Sequence, residues 1–249
     1  MFDRLFRSPA VMACVTALAL FGAHTLIAAD ALTQHYNNAR TGAVLDELRL
    51  TTSTVNASGF GKLWTLYADG QIVAQPLYVS GLKVDTSGNP QAPLVQGTFN
   101  AVVIATMHNT VYVYDADNEK PGPQGRTVPL WATWLGEPRK GGKDIDMWST
   151  NDPEWGILGT PVVSPDKSTL YVVAWHGDAP GVRYMVHALN MQNGAHRMPP
   201  KLVGVASNDP SNPCRNQTPF NPCLHKQRAA LLLSNGVLYV GFGGDGNRG

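Results

Sequence analysis

The chain is poor in charge, in cysteine and in helical periodicity, and each shortage excludes something. Only 15% of its 249 residues are charged and the net charge is +1, so no excess of either sign draws it to nucleic acid or to an anionic membrane. Three cysteines, Cys14, Cys214 and Cys223, are spaced neither as a zinc C-x-x-C pair nor as a redox dithiol. No H-E-x-x-H, no phosphate loop and no nucleophile elbow occurs, and Gly241 to Gly249 lacks the following helix a dinucleotide fingerprint needs. From about residue 60 no window of helical length sustains a 3.6-residue period. The 25 glycines and 18 prolines suit short strands joined by tight turns, so the class expectation is all-β.

The first 29 residues read as an export signal. Arg4 and Arg7 precede an apolar stretch centred on Ala10–Leu20, which ends in small residues before Asp30. That is the basic, apolar, small-residue order of a secretory leader, with cleavage expected near Ala28 or Ala29 and an uncleaved anchor as the alternative. The mature chain is then expected outside the cytoplasm, in a periplasm or extracellular space. In an oxidising compartment, Cys214 and Cys223 in the proline-rich stretch 212–223 are read first as a disulfide stapling a loop, with two free thiols as the alternative.

Short β-branched and aromatic runs recur in a fixed order. A Leu-centred run (61–66, 129–134, 200–205) is followed, after a loop, by a second run (74–79, 159–163, 227–233). A third (101–105, 169–173, 237–240) comes next, and a fourth (111–116, 184–190) pairs with it. Four antiparallel strands in series are a propeller blade. With the second run innermost, the chain reads as one outer strand, two complete blades and half of a third. The expected organisation is a signal over 1–29, a lead-in over 30–60 and an incomplete β-propeller over 61–249. Closing such a ring takes at least about four blades, so the remaining blades are counted among the expected partners.

Tyr112-Val113-Tyr114-Asp115-Ala116 with Leu130-Trp131 downstream, and His187-Ala188-Leu189-Asn190 with Asn193-Gly194 downstream, resemble the pyrroloquinoline quinone (PQQ) repeat family. So does the lead-in 35–42 followed by 60–64. The resemblance covers roughly residues 34 to 249 and implies a propeller, with PQQ and calcium as the cofactor set of its dehydrogenase branch. Two departures stand out. The second blade carries Leu202 and Val203 where the first carries Trp131, and the adjacent cysteine pair of one large dehydrogenase branch is absent.

Two sets of candidate ligand-binding residues follow. Gln75, Thr160 and Arg228 open the innermost strands, which line a propeller's channel, and Arg228 with nearby His225 and Gln227 suits an anionic group. The connections between second and third strands hold His108-Asn109, His176-Gly177-Asp178 and Gly243-Gly244-Asp245. These could converge on a polar ligand or metal, or simply supply the residues tight hairpins require. Long insertions at 136–156, which contains Trp148 and Trp155, and at 206–226 fall on one face, while that at 80–100 falls on the other. The functional expectation is an extracytoplasmic binding or scaffold module, taking a small molecule or protein at the propeller face. A PQQ-dependent oxidoreductase of alcohols or sugars is the alternative.

Overall fold

The computed structural model describes residues 29–45, 47, 50–120, 122–123, 126–141, 154–178, 181–205, 220–223 and 225–244. The expected leader, Cys14, Trp148, Cys214 and Asp245 lie outside the described residues. The protein is all-β. Strands β1 (Leu77–Asp85), β2 (Gln96–Ala105), β3 (Thr110–Asp115) and β4 (Trp131–Trp134) form one four-stranded antiparallel sheet in that order. A minor ribbon pairs β5 (Arg139–Lys140) with β6 (Glu154–Trp155). The second four-stranded sheet runs β7 (Val162–Val163), β8 (Thr169–His176), β9 (Arg183–Asn190) and β10 (Lys201–Val205), again antiparallel. A hairpin of β11 (Leu232–Ser234) and β12 (Val237–Tyr239) follows. The serial order expected of the two blades is thus present. The described residues form two sheets and a hairpin, not a closed ring.

Face alternation explains how these sheets pack. In β8, Leu170, Val172 and Ala174 face the first sheet and join a core with Leu77, Val79, Val113 and Trp131. The alternate residues Val173 and Trp175 face the hairpin and join Tyr184, Leu231 and Cys223. A strand buried on both faces must be apolar almost throughout, which is why Leu170-Tyr171-Val172-Val173-Ala174-Trp175 shows no polar alternation. Burying each such side chain removes it from water for about 1.5–3 kcal/mol.

One expected strand is absent. Residues 61–66 are assigned no strand, and Leu63 is 81% exposed. Thr127 Oγ1, in the connection before β4, donates to the Thr65 carbonyl at 2.8 Å. A strand needs a neighbouring backbone to satisfy its N–H and C=O groups, and none of the described strands pairs with this segment.

The lead-in forms a strap across the free edges of the first strands of all three units. Ala31 pairs with Tyr78 of β1, and the Val163 amide of β7 donates to the Leu32 carbonyl at 2.8 Å. The Arg40 guanidinium donates to Thr33 Oγ1 (2.6 Å), the Gln34 carbonyl (2.7 Å) and the Leu231 carbonyl (2.8 Å), and Asn38 Nδ2 donates to the Leu233 carbonyl of β11. Asp30 accepts from Ser80 and pairs with Lys167 at 2.7 Å. Burial works against its charge, but these bonds win and hold its carboxyl below the ordinary carboxylate range.

Candidate functional site

Where the strap meets the starts of β7 and β11, the three units enclose an open cavity of about 1030 Å³. Met107, Trp155, Leu158 and Phe242 supply its apolar walls. Lys226 and Arg228 supply positive charge, and Gln34, Gln71 and Thr160 supply neutral polar groups. Aspartate and glutamate are absent among the described lining residues. Lys226 and Arg228 stand two apart in the chain, and both line the cavity. The Lys226 ammonium lies 5.7 Å from the centre of the Trp155 ring, within cation–π range. The buried Trp155 indole N–H and the buried Gln227 Oε1 have no hydrogen-bond partner among the described residues.

Close approach of the units depends on Gly159. A Cβ there would stand 2.4 Å from Gln227 Oε1 and 2.6 Å from the Ala229 carbonyl. Any side chain would push the third unit's entry strand away from the second sheet and reshape the cavity wall.

Of the inner-strand candidates, Thr160 and Arg228 line the cavity. Gln75 does not: its amide donates to Thr160 Oγ1 at 3.0 Å and its side-chain oxygen accepts from the His35 amide at 3.1 Å, so it fastens the strap. His225 also points elsewhere. Its ring stacks on Phe220 and its Nδ1 is engaged with the Asn221 backbone, while its carbonyl accepts from the Tyr184 hydroxyl.

The residues between second and third strands do not converge. His108 Nδ1 meets Glu154 Oε2 at 2.5 Å, with Asp69 at 3.9 Å from Nε2, and Lys140 joins Glu154 from the other side at 2.5 Å. The Glu154 bond raises the His108 imidazole above its ordinary value despite burial. His176 is buried in a different cluster: its Nε2 lies 3.2 Å from His187 Nε2, whose Nδ1 lies 2.9 Å from His196 Nε2. Asp178 is turned to Arg183 at 2.9 Å. Among the described residues no set of three or more His, Cys, Asp or Glu side chains gathers as a metal site, and no helix is long and apolar enough to cross a membrane. Cys223 is buried against the second core.

Sequence reasoning missed Lys226, Gln34 and the His187–His196 pair. The two-residue spacing of Lys226 and Arg228 was a usable signal; for the others there was none, because they meet their neighbours only through folding. Comparison with protein-family models, curated proteins and solved structures finds no match.

Proposed function

We propose that this chain is an exported, propeller-type binding module that takes an anionic small molecule in the cavity beneath the strap. The observation that carries the reading is the pairing of Lys226 and Arg228 with the Trp155 and Phe242 rings, in a cavity whose described lining has no carboxylate. Two cations with no counter-ion among the described residues, in a partly apolar cleft, favour an anion, and the rings favour a planar one.

The resemblance to PQQ repeats makes PQQ the first ligand to test. Lys226 and Arg228 would hold its carboxylates, and Trp155 would pack against its rings; when bound, the quinone supplies two-electron redox chemistry. Calcium does not fit, since a hard divalent cation wants carboxylate oxygens and the described lining offers cations instead. The reading is therefore of binding, without a dehydrogenation step.

Equilibrium dialysis against micromolar PQQ, with and without calcium, tests it. The expected result is calcium-independent binding that Lys226→Gln with Arg228→Gln weakens at least tenfold, since a charge-assisted bond contributes roughly 1.5–3 kcal/mol. Absence of binding, or binding indifferent to the double substitution, refutes this site. Calcium-dependent oxidation of alcohols or sugars would favour the oxidoreductase alternative.

A further inference from the structure

The cluster at the contact of the two four-stranded sheets serves no part of the reading above. His187 lies in β9 opposite Val172, and His176 lies in β8 opposite Arg183. Both belong to the face of the second sheet that carries Leu170, Val172, Ala174 and Leu189 into the core shared with the first sheet. His196 runs beside β9, bridged to Leu189. The three rings form a file, with centroids 5.5 and 5.2 Å apart, from buried His176 to exposed His196.

The file is built for neutral imidazoles. A neutral ring has one N–H donor and one bare acceptor nitrogen, and two N···N bonds in series fit two arrangements, which run the donors in opposite directions along the file. In one of them His176 Nε2–H donates to His187, and His187 Nδ1–H donates to His196. That arrangement is favoured because it leaves the buried His176 Nδ1 bare, whereas the reverse would make it an N–H donor with no acceptor among the described residues. One extra proton keeps both bonds. Two protons on neighbouring rings put N–H against N–H and break one.

Little nearby could hold added charge. Asp178, 3.9 Å from His176 Nδ1, is already paired with Arg183. On the facing segment of the first sheet, residues 131–136 carry no titratable side chain, and Glu137 is turned to Lys140 at 3.0 Å. Arg139 packs its backbone on Gly177, and Arg197 beside His196 is held by the Ser168 carbonyl. Gly136 lies against His176, where a Cβ would be 3.1 Å from Nδ1.

We propose that His176, His187 and His196 form an acid-opened latch between the first and second sheets, closed while the file is neutral and opened when adjacent rings are both protonated. Burial, then nearby positive charge, pushes His176 down to about 4 and His187 down to about 3, and burial lowers His196. Because the folded values lie below the unfolded value of about 6.5, the latch's stability is complete above that pH. It is lost as pH falls through 6.5 toward 4. His176 alone would lower the folded-to-unfolded ratio about twentyfold between pH 7 and pH 5.

Two measurements on the full chain test this. Nitrogen NMR of the imidazole rings in the unsubstituted protein should show three neutral rings at pH 6, with His176 and His187 in opposite tautomers. Denaturant midpoints from pH 7.5 to 4.5 should fall steeply, and less steeply in His187→Gln, with His196→Gln serving if the buried variant does not fold. Ordinary titration of all three rings near pH 6.5, or equal pH slopes in the unsubstituted protein and the variant, overturns the latch. Neither readout involves ligand, so failure here leaves the binding reading standing and the reverse also holds.

Discussion

Replacing Trp131 by alanine should remove most of the coupling between the first and second sheets. Its indole is fully buried and its Nε1 donates to the Met191 carbonyl at 3.0 Å, across the sheet boundary. Beside it, Thr133 Oγ1 donates to the Gly194 carbonyl at 2.8 Å. Truncating a buried Trp to Ala costs about 3–5 kcal/mol, and stranding the Met191 carbonyl adds about 1 kcal/mol or more. Set against a typical total of about 5–15 kcal/mol, the variant should sit at the edge of unfolding. Trp134, three positions on in the same strand, is 55% exposed, so Trp134→Ala should shift stability by under about 1 kcal/mol. Urea denaturation followed by circular dichroism gives both values, with the slope checked for constancy. If Trp131→Ala lowers stability no more than Trp134→Ala does, the indole is not a lock and the packing argument fails.

Gly194 and Gly236 share a φ of 76°, which makes them a matched pair. A Cβ at Gly194 would lie 2.5 Å from Trp131 Cε3, whereas one at Gly236 meets nothing within 4 Å. Gly236→Ala should cost about 1–2 kcal/mol, the left-handed penalty alone, and Gly194→Ala clearly more; equal thermal shifts would refute the close approach. Arg40→Ala removes the three bonds that fasten the strap. Amide exchange at Val163, which donates to Leu32, should speed up about tenfold or more, and unchanged protection would show that the strap holds without its arginine.

The strands were legible where the chain is apolar for a local reason. Val111-Tyr112-Val113-Tyr114 and Leu170-Tyr171-Val172-Val173 are β-branched and aromatic runs bounded by turn residues, and both are strands. The run 61–66 also carries a Trp, a Thr and two Leu but has no pairing neighbour among the described strands, and pairing is the part of strand formation that local sequence does not carry. The strap was illegible for a related reason. His35, Tyr36 and Arg40 take positive φ, a conformation local preference assigns to glycine or asparagine, so the bonds to Leu231 and Gln75 must hold it. The histidine file is visible only through register. The facing of 172 with 187 and of 176 with 183 puts both rings on one face, and no spacing in the sequence announces it.

The two contacts between units are built differently, and that difference bears on where a ligand can enter. The first sheet docks on the second through an indole seated against a glycine turn. At the corresponding position the second sheet has Leu202 and Val203, which are 52% and 37% exposed, so no indole dock is made there. The second sheet and the hairpin are instead joined by rings: Tyr184 lies edge-on to Phe242 at 5.1 Å, and Phe220 lies 4.7 Å from Phe242. Phe242 is also a cavity wall. A ring fixed on one side by Tyr184 and Phe220 and open to the cavity on the other can adjust to an occupant without breaking a hydrogen bond, which the Trp131 dock could not do. Charge at Lys226 and Arg228 thus sits at the contact with the most room to adapt, while the contact locked by Trp131 also holds the histidine file. The proposed ligand site and the proposed acid latch therefore lie on different sides of the second sheet.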